Sequence, residues 1–249
     1  MATQAASLYR IPFLILNAIM GQIATMPPNR TPGNEELKRY DINKNRDPLT
    51  AVMSWYLPTF VLVMQALNIS ELYITLAAAF PSIRVPSALS TLLSSPSLIQ
   101  PLSSSLRVTP ILVGGTLLGC FGALLRLACY RHLGRHFTFE LALRKEHKLI
   151  TDGPYSFVRH PSYLGSTLYF AGLLACQFTE GSWWVEGGMW STALGKVVGT
   201  WWLAYVAFLL VSMVIIRTPR EDKVLKEEFG EQWVKWQKQT PYRVLPLIF

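Results

Sequence analysis

The strongest constraint on this fold is a set of long apolar runs separated by short polar segments. A helix needs about 20 mostly apolar residues to cross a bilayer, and five such candidates occur, at 7–26, 51–80, 108–130, 162–179 and 192–216. The second contains Pro58 and a polar group at 68–71, so it is either one tilted helix or two short passes. Only 15% of the residues are charged, whereas soluble domains average about 25%. The sequence therefore predicts an all-α, multi-spanning membrane helical bundle of about five helices.

The distribution of basic residues tests this count, because cytosolic loops of membrane proteins are rich in Lys and Arg. Five basic residues lie in 27–50, six in 131–161 and seven from 217 onward, whereas 81–107 holds two and 180–191 holds none. With five spans, all the basic segments fall on one side. This predicts a lumenal N-terminus, a cytosolic C-terminus and a lumenal Ser- and Pro-rich loop over 81–107. The net charge of +8 suits anionic lipid headgroups. Nucleic acid is the alternative, but these charges form no single patch.

Three further patterns concern packing. The three cysteines lie in apolar runs, without CxxC spacing or a His at ligand spacing, which predicts packed, reduced thiols and no metal site. Gly115 and Gly119, four residues apart in the third span, predict close helix packing. Large apolar residues recur every three or four positions in 221–239. That stripe predicts a C-terminal amphipathic helix lying against the membrane or against the bundle.

The residues most suggestive of chemistry are concentrated in the segment 146–165. Gly153-Pro154 is a turn signal, and Pro161 suits the first turn of a helix while disfavouring helix at the residue before it. The segment is therefore expected to be an ordered loop that leads into the fourth span at the cytosolic face. It brings together two histidines, two tyrosines and an arginine, namely His147, Tyr155, Arg159, His160 and Tyr163.

A second cluster, Arg217 to Leu225, comes directly after the fifth span. Arg217 and Glu221 are four residues apart, so they share one face of a helix. Each residue taken singly has an ordinary interpretation. Arg159 and Arg217 are then ordinary basic residues of cytosolic segments. His160 is a loop histidine, and Glu221 is an acidic residue near a helix N-terminus. Only their combination and spacing point to a function.

The pattern Gly153-x-Tyr155-x-x-x-Arg159-His160-Pro161-x-Tyr163-x-Gly165, with Arg217-x-x-x-Glu221-Asp222-x-x-Leu225 after it, resembles the signature of the isoprenylcysteine carboxyl methyltransferases. The tail's Phe229-Gly230-Glu231 and Pro241-Tyr242-Arg243 are similar to the family's ending. The resemblance covers roughly 108–249, which we expect to be the methyltransferase core. Residues 1–107 show no such resemblance and are expected to hold N-terminal membrane helices and the lumenal loop. The family usually has Glu at position 222, and often has Gln at 140, where this chain has Glu.

The resemblance implies methyl esterification of the C-terminal prenylcysteine carboxylate of processed CaaX proteins, with S-adenosylmethionine as the cofactor. It also implies a multi-pass protein of the endoplasmic reticulum membrane whose active site faces the cytosol. No glycine-rich Rossmann fingerprint is present, which agrees with a pocket of another kind. The residues implied to bind the cofactor are Glu140, His147, Lys148, Leu149, Ile150, Tyr155, His160, Pro161, Ser162, Tyr163 and Glu221.

Arg217 is the candidate catalytic and substrate-binding residue, because a guanidinium group grips a carboxylate in a bidentate fashion and stays charged when partly buried. The sulfonium cation of the cofactor favours aromatic faces and a nearby carboxylate, as Tyr155, Tyr163 and Glu221 would supply.

Four alternatives stay open. In the first alternative, the acceptor is a small terpenoid acid. In the second, it is a phospholipid amine, and such an acceptor would leave Arg217 without an obvious partner. In the third alternative, the protein is related to membrane sterol reductases, which bind a nicotinamide cofactor; Ser166 after Gly165 argues against that interpretation. In the fourth alternative, the protein is a non-enzymatic membrane protein that retains the sequence pattern without the activity.

Overall fold

The computed structural model describes residues 7–26, 28–29, 48–80, 82–84, 105–138 and 148–247. It is helical, and no strand occurs within these ranges. Its α-helices over these ranges include α1 (Ile11–Thr25), α2 (Pro48–Ala79), α3 (Pro110–Leu133), α4 (Pro161–Phe178), α5 (Trp183–Glu186), α6 (Ala193–Val211), α7 (Thr218–Phe229) and α8 (Glu231–Gln239). The predicted all-α class is therefore confirmed.

A helix occupies each of the five predicted spans, since α1, α2, α3, α4 and α6 coincide with them within a few residues. Three stretches are long and apolar enough to cross a membrane, Ser54–Ala77, Pro110–His136 and Ala193–Phe229, so the chain is a multi-pass membrane protein. Helix α1 is apolar but shorter. Five crossings thus stay a prediction as far as α1 and α4 are concerned. Residues 51–79 form one continuous helix that contains Pro58, which favours one long pass over two short ones.

The chain divides into two compact units that interleave along the sequence. The first contains Met1–Gln22, Val61–Phe121 and Leu168–Val206, and the second contains Ile23–Phe60, Gly122–Thr167 and Ala207–Phe249. The predicted boundary at residue 107 marks where the family resemblance begins, and it stays a prediction. Most of the predicted loop 81–107 lies outside the described residues.

In the first unit, α3 and α4 pack closely through glycines, as their spacing predicted. A side chain at Gly172 would collide with the carbonyl oxygen of Gly115 and with the backbone of Gly119. Gly115 also faces Cys176, whereas Gly119 faces Tyr169, so the two helices run antiparallel. Small residues at such a crossing let backbones approach and gain dispersion contacts that lipid cannot replace.

The remaining packing of the first unit agrees with alternating helix directions. The hydroxyl of Tyr169 donates to the sulfur of Met64 at 3.1 Å, and seven residues further along both helices Cys176 lies near Glu71. Helices α2 and α4 therefore run in the same direction. A cluster of indole and aliphatic side chains continues this packing beyond α4, with Trp183 and Trp184 buried against Ile74.

Buried polar groups also occur in this unit. Arg10, immediately before α1, forms an ion pair with Glu71, and their side chains are 1% and 3% exposed. The Nη1 atom of Arg10 also donates to the carbonyl oxygen of Arg107 at 2.6 Å. On α1, Asn17 donates to the hydroxyl of Thr116 at 3.2 Å. These bonds satisfy groups that would otherwise be costly in an apolar interior.

In the second unit, a π-helical turn over Ser212–Arg217 separates α6 from α7. Pro219 lies in the first turn of α7, where its ring excludes the usual hydrogen bond to the residue four positions earlier. A wider turn before a proline accommodates that missing bond and changes the rotational register of α7 relative to α6. Arg217 is the last residue of this turn and is 2% exposed.

The predicted C-terminal amphipathic helix is in fact two helices, α7 and α8, joined at Gly230. Gly230 has φ 52° and ψ −121°, a conformation open to glycine and costly for other residues. The apolar stripe faces protein, because Trp233 and Trp236 are 4% exposed and pack with Cys129 and Tyr155. Of the two predicted surroundings of this stripe, the bundle is therefore the one observed.

Candidate functional site

The loop 148–160 is shaped by a short 3-10 turn, Gly153–Ser156, as the Gly-Pro signal predicted. Gly153 has φ +57°, and a side chain there would collide with the ring of His132, so the position requires glycine. Tyr155 points inward and is buried, with its phenol against Cys129. Burial raises the pKa of Tyr155 well above its ordinary value, and nearby Cys129 and Glu221 act in the same direction. The phenol is therefore neutral at physiological pH.

The chain's C-terminal segment binds along this loop through backbone hydrogen bonds. The amide of Arg159 donates to the carbonyl oxygen of Tyr242 at 2.9 Å, and that of His160 donates to the carbonyl oxygen of Arg243 at 2.7 Å. The indole of Trp236 donates to the carbonyl oxygen of Tyr155 at 3.1 Å. The segment 240–243, which we call the C-terminal strap, thus fixes the backbone that immediately precedes α4.

Asp222 is the hub of a buried ionic network. Its Oδ2 atom accepts from Arg159 Nη2 at 3.0 Å and from Arg243 Nε at 3.1 Å. The Nε atom of Arg159 also donates to Asp222 at 3.3 Å, and its Nη1 atom donates to the strap, to the carbonyl oxygens of Thr240 at 2.9 Å and Pro241 at 2.6 Å. The side chains of Arg159 and Asp222 are 2% and 6% exposed. Buried charges of this kind persist only when they are paired and fully hydrogen-bonded.

His160 lies between Glu221 and Asp222, two adjacent acidic residues of α7. Its Nδ1 atom is 3.0 Å from Glu221 Oε2, and its Nε2 atom is 3.0 Å from Asp222 Oδ1. A neutral imidazole has only one N–H, so two such contacts to carboxylates require the imidazolium form. Burial alone lowers the pKa of His160, but the hydrogen bonds and charges of Asp222 and Glu221 outweigh it, and the pKa is raised above its ordinary 6.5.

Glu221 and Tyr163 form the more open edge of the network. The hydroxyl of Tyr163 donates to Glu221 Oε1 at 2.5 Å, and its ring stacks on that of His160, with centroids 5.7 Å apart and planes at 19°. The side chain of Glu221 is 24% exposed, whereas that of His160 is 5% exposed. The positive charge of Arg217, one helical turn before Glu221, acts on the same carboxylate. The half-buried carboxylate of Glu221 thus has the Tyr163 hydroxyl bound to it and the buried guanidinium charge of Arg217 nearby.

The other predicted site residues take different places. Lys148 is exposed, and Leu149 and Ile150 pack on the cluster that contains Tyr155. Pro161 and Ser162 are buried in the first turn of α4. Glu140 and His147 lie outside the described residues, so their assignment stays a prediction.

Sequence reasoning did not assign a role to Asp222, Arg243 or Arg126. Arg126 is 4% exposed on α3, and its guanidinium donates to the carbonyl oxygens of Ala24 at 2.6 Å and Ser162 at 3.1 Å. It also bonds the hydroxyl of Ser166, so it fixes the first turns of α4. A lone arginine within an apolar span was the signal for it, because such a charge is retained only when it is used.

Comparison with known proteins supports the family resemblance. The model of the isoprenylcysteine carboxyl methyltransferase family matches residues 115–183. A protein-S-isoprenylcysteine O-methyltransferase of Schizosaccharomyces pombe is 30% identical over 131 residues, which are 52% of this chain and 47% of that protein. Protein-S-isoprenylcysteine O-methyltransferase B of Arabidopsis thaliana is 29% identical over 124 residues, 48% of this chain and 52% of that protein.

A Delta(14)-sterol reductase of Schizosaccharomyces pombe is also similar, at 25% identity over 117 residues, 46% of this chain and 22% of that protein. The chain spans about half the length of the two methyltransferases that it matches. The resemblance inferred from the sequence is therefore confirmed: residues 115–183 match the isoprenylcysteine carboxyl methyltransferase family, and about half of this chain is similar to protein-S-isoprenylcysteine O-methyltransferases.

Proposed function

We propose that this protein transfers a methyl group from S-adenosylmethionine to the carboxylate of a lipid-tailed acceptor, with the C-terminal prenylcysteine of a processed CaaX protein as the preferred acceptor. The observation that carries the proposal is the open edge of the ionic network. There, Glu221 and Tyr163 are joined by a hydrogen bond, and the charge of Arg217 acts on the same carboxylate.

The residues present fit the cofactor. S-adenosylmethionine supplies a methyl group on a sulfonium cation, which carboxylates and aromatic faces attract. Each oxygen of Glu221 accepts one hydrogen bond from the network and keeps a further lone pair for a ligand. Since His160 is buried behind Glu221, we assign it the role of holding that carboxylate. The remaining contacts are proposed from Lys148–Ile150, Tyr155, Pro161 and Ser162, with Glu140 and His147 completing the set.

The acceptor carboxylate requires binding and orientation more than activation. With a reference pKa of about 3.5 it is already ionised at neutral pH, so no general base is needed. Arg217 is 2% exposed, and a guanidinium group in such surroundings pairs strongly with an incoming carboxylate. Holding that oxygen in line, about 3–3.5 Å from the methyl carbon, is the main task of the protein. A lipid tail would reach such a site from within the bilayer.

The test is transfer of a radiolabelled methyl group from S-adenosylmethionine by the purified protein in detergent micelles. We expect N-acetyl-farnesylcysteine to be methylated and a phospholipid amine not to be. If a terpenoid acid is methylated and N-acetyl-farnesylcysteine is not, the methyltransferase assignment stands and the protein-processing assignment falls. No transfer to any of the three would remove the enzymatic proposal.

A second candidate, a sterol reductase that uses a reduced nicotinamide, is favoured by the similarity to Delta(14)-sterol reductases. Against it, Ser166 after Gly165 hydrogen-bonds Arg126 and is 2% exposed, so its hydroxyl is engaged in a contact within the protein. Oxidation of the reduced nicotinamide in the presence of a Δ14-sterol, without methyl transfer, would establish this candidate in place of the first.

We further propose that the protein lies in the endoplasmic reticulum membrane with the site facing the cytosol. The basic segments 27–50, 131–161 and 217–249 support this orientation by the positive-inside rule. The opposite directions of α3 and α4, and the shared direction of α2 and α4, agree with an alternating path through the membrane.

A further inference from the structure

We propose that Arg243, on the C-terminal strap, is a positioning residue of the cofactor site, and that it acts through Asp222 and His160 on Glu221. The inference rests on the proposed function, because it deepens the account of the same site. It concerns a residue far in sequence from the segment 115–183 that the family model matches.

The contacts from Arg243 to Glu221 are continuous. Arg243 Nε lies 3.1 Å from Asp222 Oδ2, and Asp222 Oδ1 lies 3.0 Å from His160 Nε2. On the other side of the ring, His160 Nδ1 lies 3.0 Å from Glu221 Oε2. Three consecutive charge-assisted hydrogen bonds thus connect the strap to the carboxylate that faces the ligand. Such bonds are shorter and stronger than neutral ones, so each of them restricts the next group.

The backbone of Arg243 also contacts His160. The carbonyl oxygen of Arg243 accepts from the amide of His160 at 2.7 Å, so the same residue holds His160 by its main chain and Asp222 by its side chain. Both contacts fix the imidazole ring between the two carboxylates. In this arrangement the ring keeps both of its protons, as two carboxylate neighbours require.

Arg243 is more exposed than the two groups through which it acts. The side chain of Arg243 is 35% exposed, whereas the side chains of Asp222 and His160 are 6% and 5% exposed. Arg243 is therefore the outer end of the network, and it can be shortened without leaving a cavity in the protein interior. Asp222 retains Arg159 as a partner in such a variant, so we expect the fold to survive.

The experiment measures the binding of S-adenosylhomocysteine by calorimetry in micelles, with Arg243→Ala, Arg243→Lys and the control Lys238→Ala, an exposed residue of α8. We expect Arg243→Ala to weaken binding about fivefold, ~1 kcal/mol, and Arg243→Lys to restore part of it. The control should bind as the wild type does, and the KM for the acceptor should change less than about twofold in all three.

A double-mutant cycle separates positioning from a general structural role. If Arg243 acts through Asp222, then Arg243→Ala combined with Asp222→Asn weakens binding no more than Asp222→Asn alone. Additive losses, or wild-type affinity in Arg243→Ala, would overturn the proposal.

A ligand-independent measurement completes the test. The chain has four histidines, so a ¹⁵N-histidine spectrum is simple, and His160 is assigned with His160→Gln. We expect the ring nitrogens of His160 to be protonated in the wild type at neutral pH, and to shift in Arg243→Ala but not in Lys238→Ala. Unchanged signals in Arg243→Ala would refute the positioning role. If the wild type binds no S-adenosylhomocysteine, the proposed function falls, and these signals alone decide the role of Arg243.

Discussion

Replacing Glu221 by Gln removes the charge of the site's open edge with almost no change of shape. The Gln carbonyl can still accept from His160, and its amide can still donate to the oxygen of Tyr163, so the two contacts of this side chain are retained. What is lost is the attraction between a carboxylate and a cationic ligand. A charged hydrogen bond contributes about 1.5–3 kcal/mol when it is desolvated. Because the Glu221 side chain is 24% exposed, solvent screening places the loss at the lower end, about tenfold in affinity.

The assay compares the KM for S-adenosylmethionine and for N-acetyl-farnesylcysteine, with calorimetry of S-adenosylhomocysteine beside it. The cofactor KM should rise about tenfold, ~1.4 kcal/mol, and the acceptor KM should change little. Glu228→Gln is the matched control, because Glu228 lies on the same helix and is exposed. An equal rise in both KM values would mean that Glu221 only orients Arg217, and an unchanged cofactor KM would place the cation elsewhere.

Three further outcomes are expected. Arg217→Lys keeps a charge but loses the bidentate contact with a carboxylate, so turnover should fall at least about tenfold, ~1.4 kcal/mol. The control Arg220→Lys, on α7, should keep the wild-type turnover. Equal turnover in both variants would contradict the role of Arg217. The raised pKa of His160 contributes stability that is complete below about pH 6.5 and is lost as pH rises through the folded-state pKa. The Tm should therefore decline on the alkaline side, and His160→Gln should flatten that slope; the same slope in both proteins would show that another group titrates. A glycosylation tag fused to the C-terminus should stay unmodified, since we expect that end in the cytosol.

Much of the architecture can be predicted from the one-dimensional pattern. Apolar length alone located the five helices, because a bilayer demands an internally hydrogen-bonded segment of fixed length. The turn at Gly153 and the start of α4 at Pro161 arise from residues whose backbone restrictions act locally. The four-residue spacing of Arg217 and Glu221 likewise predicts that both side chains share one face of a helix.

The network around Asp222 depends on contacts that no local rule describes. Arg159 and Asp222 are 63 residues apart, and the strap begins at Thr240, 81 residues from Arg159. Gly230 is of the residue type that commonly follows a helix C-terminus, but the apolar stripe continues across it, so the stripe by itself predicts one undivided helix. Only the left-handed backbone conformation at that glycine turns the second helix so that Trp233 and Trp236 cover Tyr155.

The buried ion pair between Arg10 and Glu71 has a consequence for biosynthesis. Helix α1 has 15 residues, carries Asn17 and comes directly after Arg10, so it is a weak anchor in lipid by itself. Its ionic partner is encoded 61 residues later, and at about 5–20 residues per second it leaves the ribosome roughly 3–12 s afterwards. During that interval the first helix has no counter-charge from α2. On the predicted five-span topology, in which α1 crosses the bilayer, stable integration of α1 is therefore a delayed event that depends on synthesis of α2, and Glu71→Ala should leave α1 vulnerable to slippage out of the bilayer and to degradation.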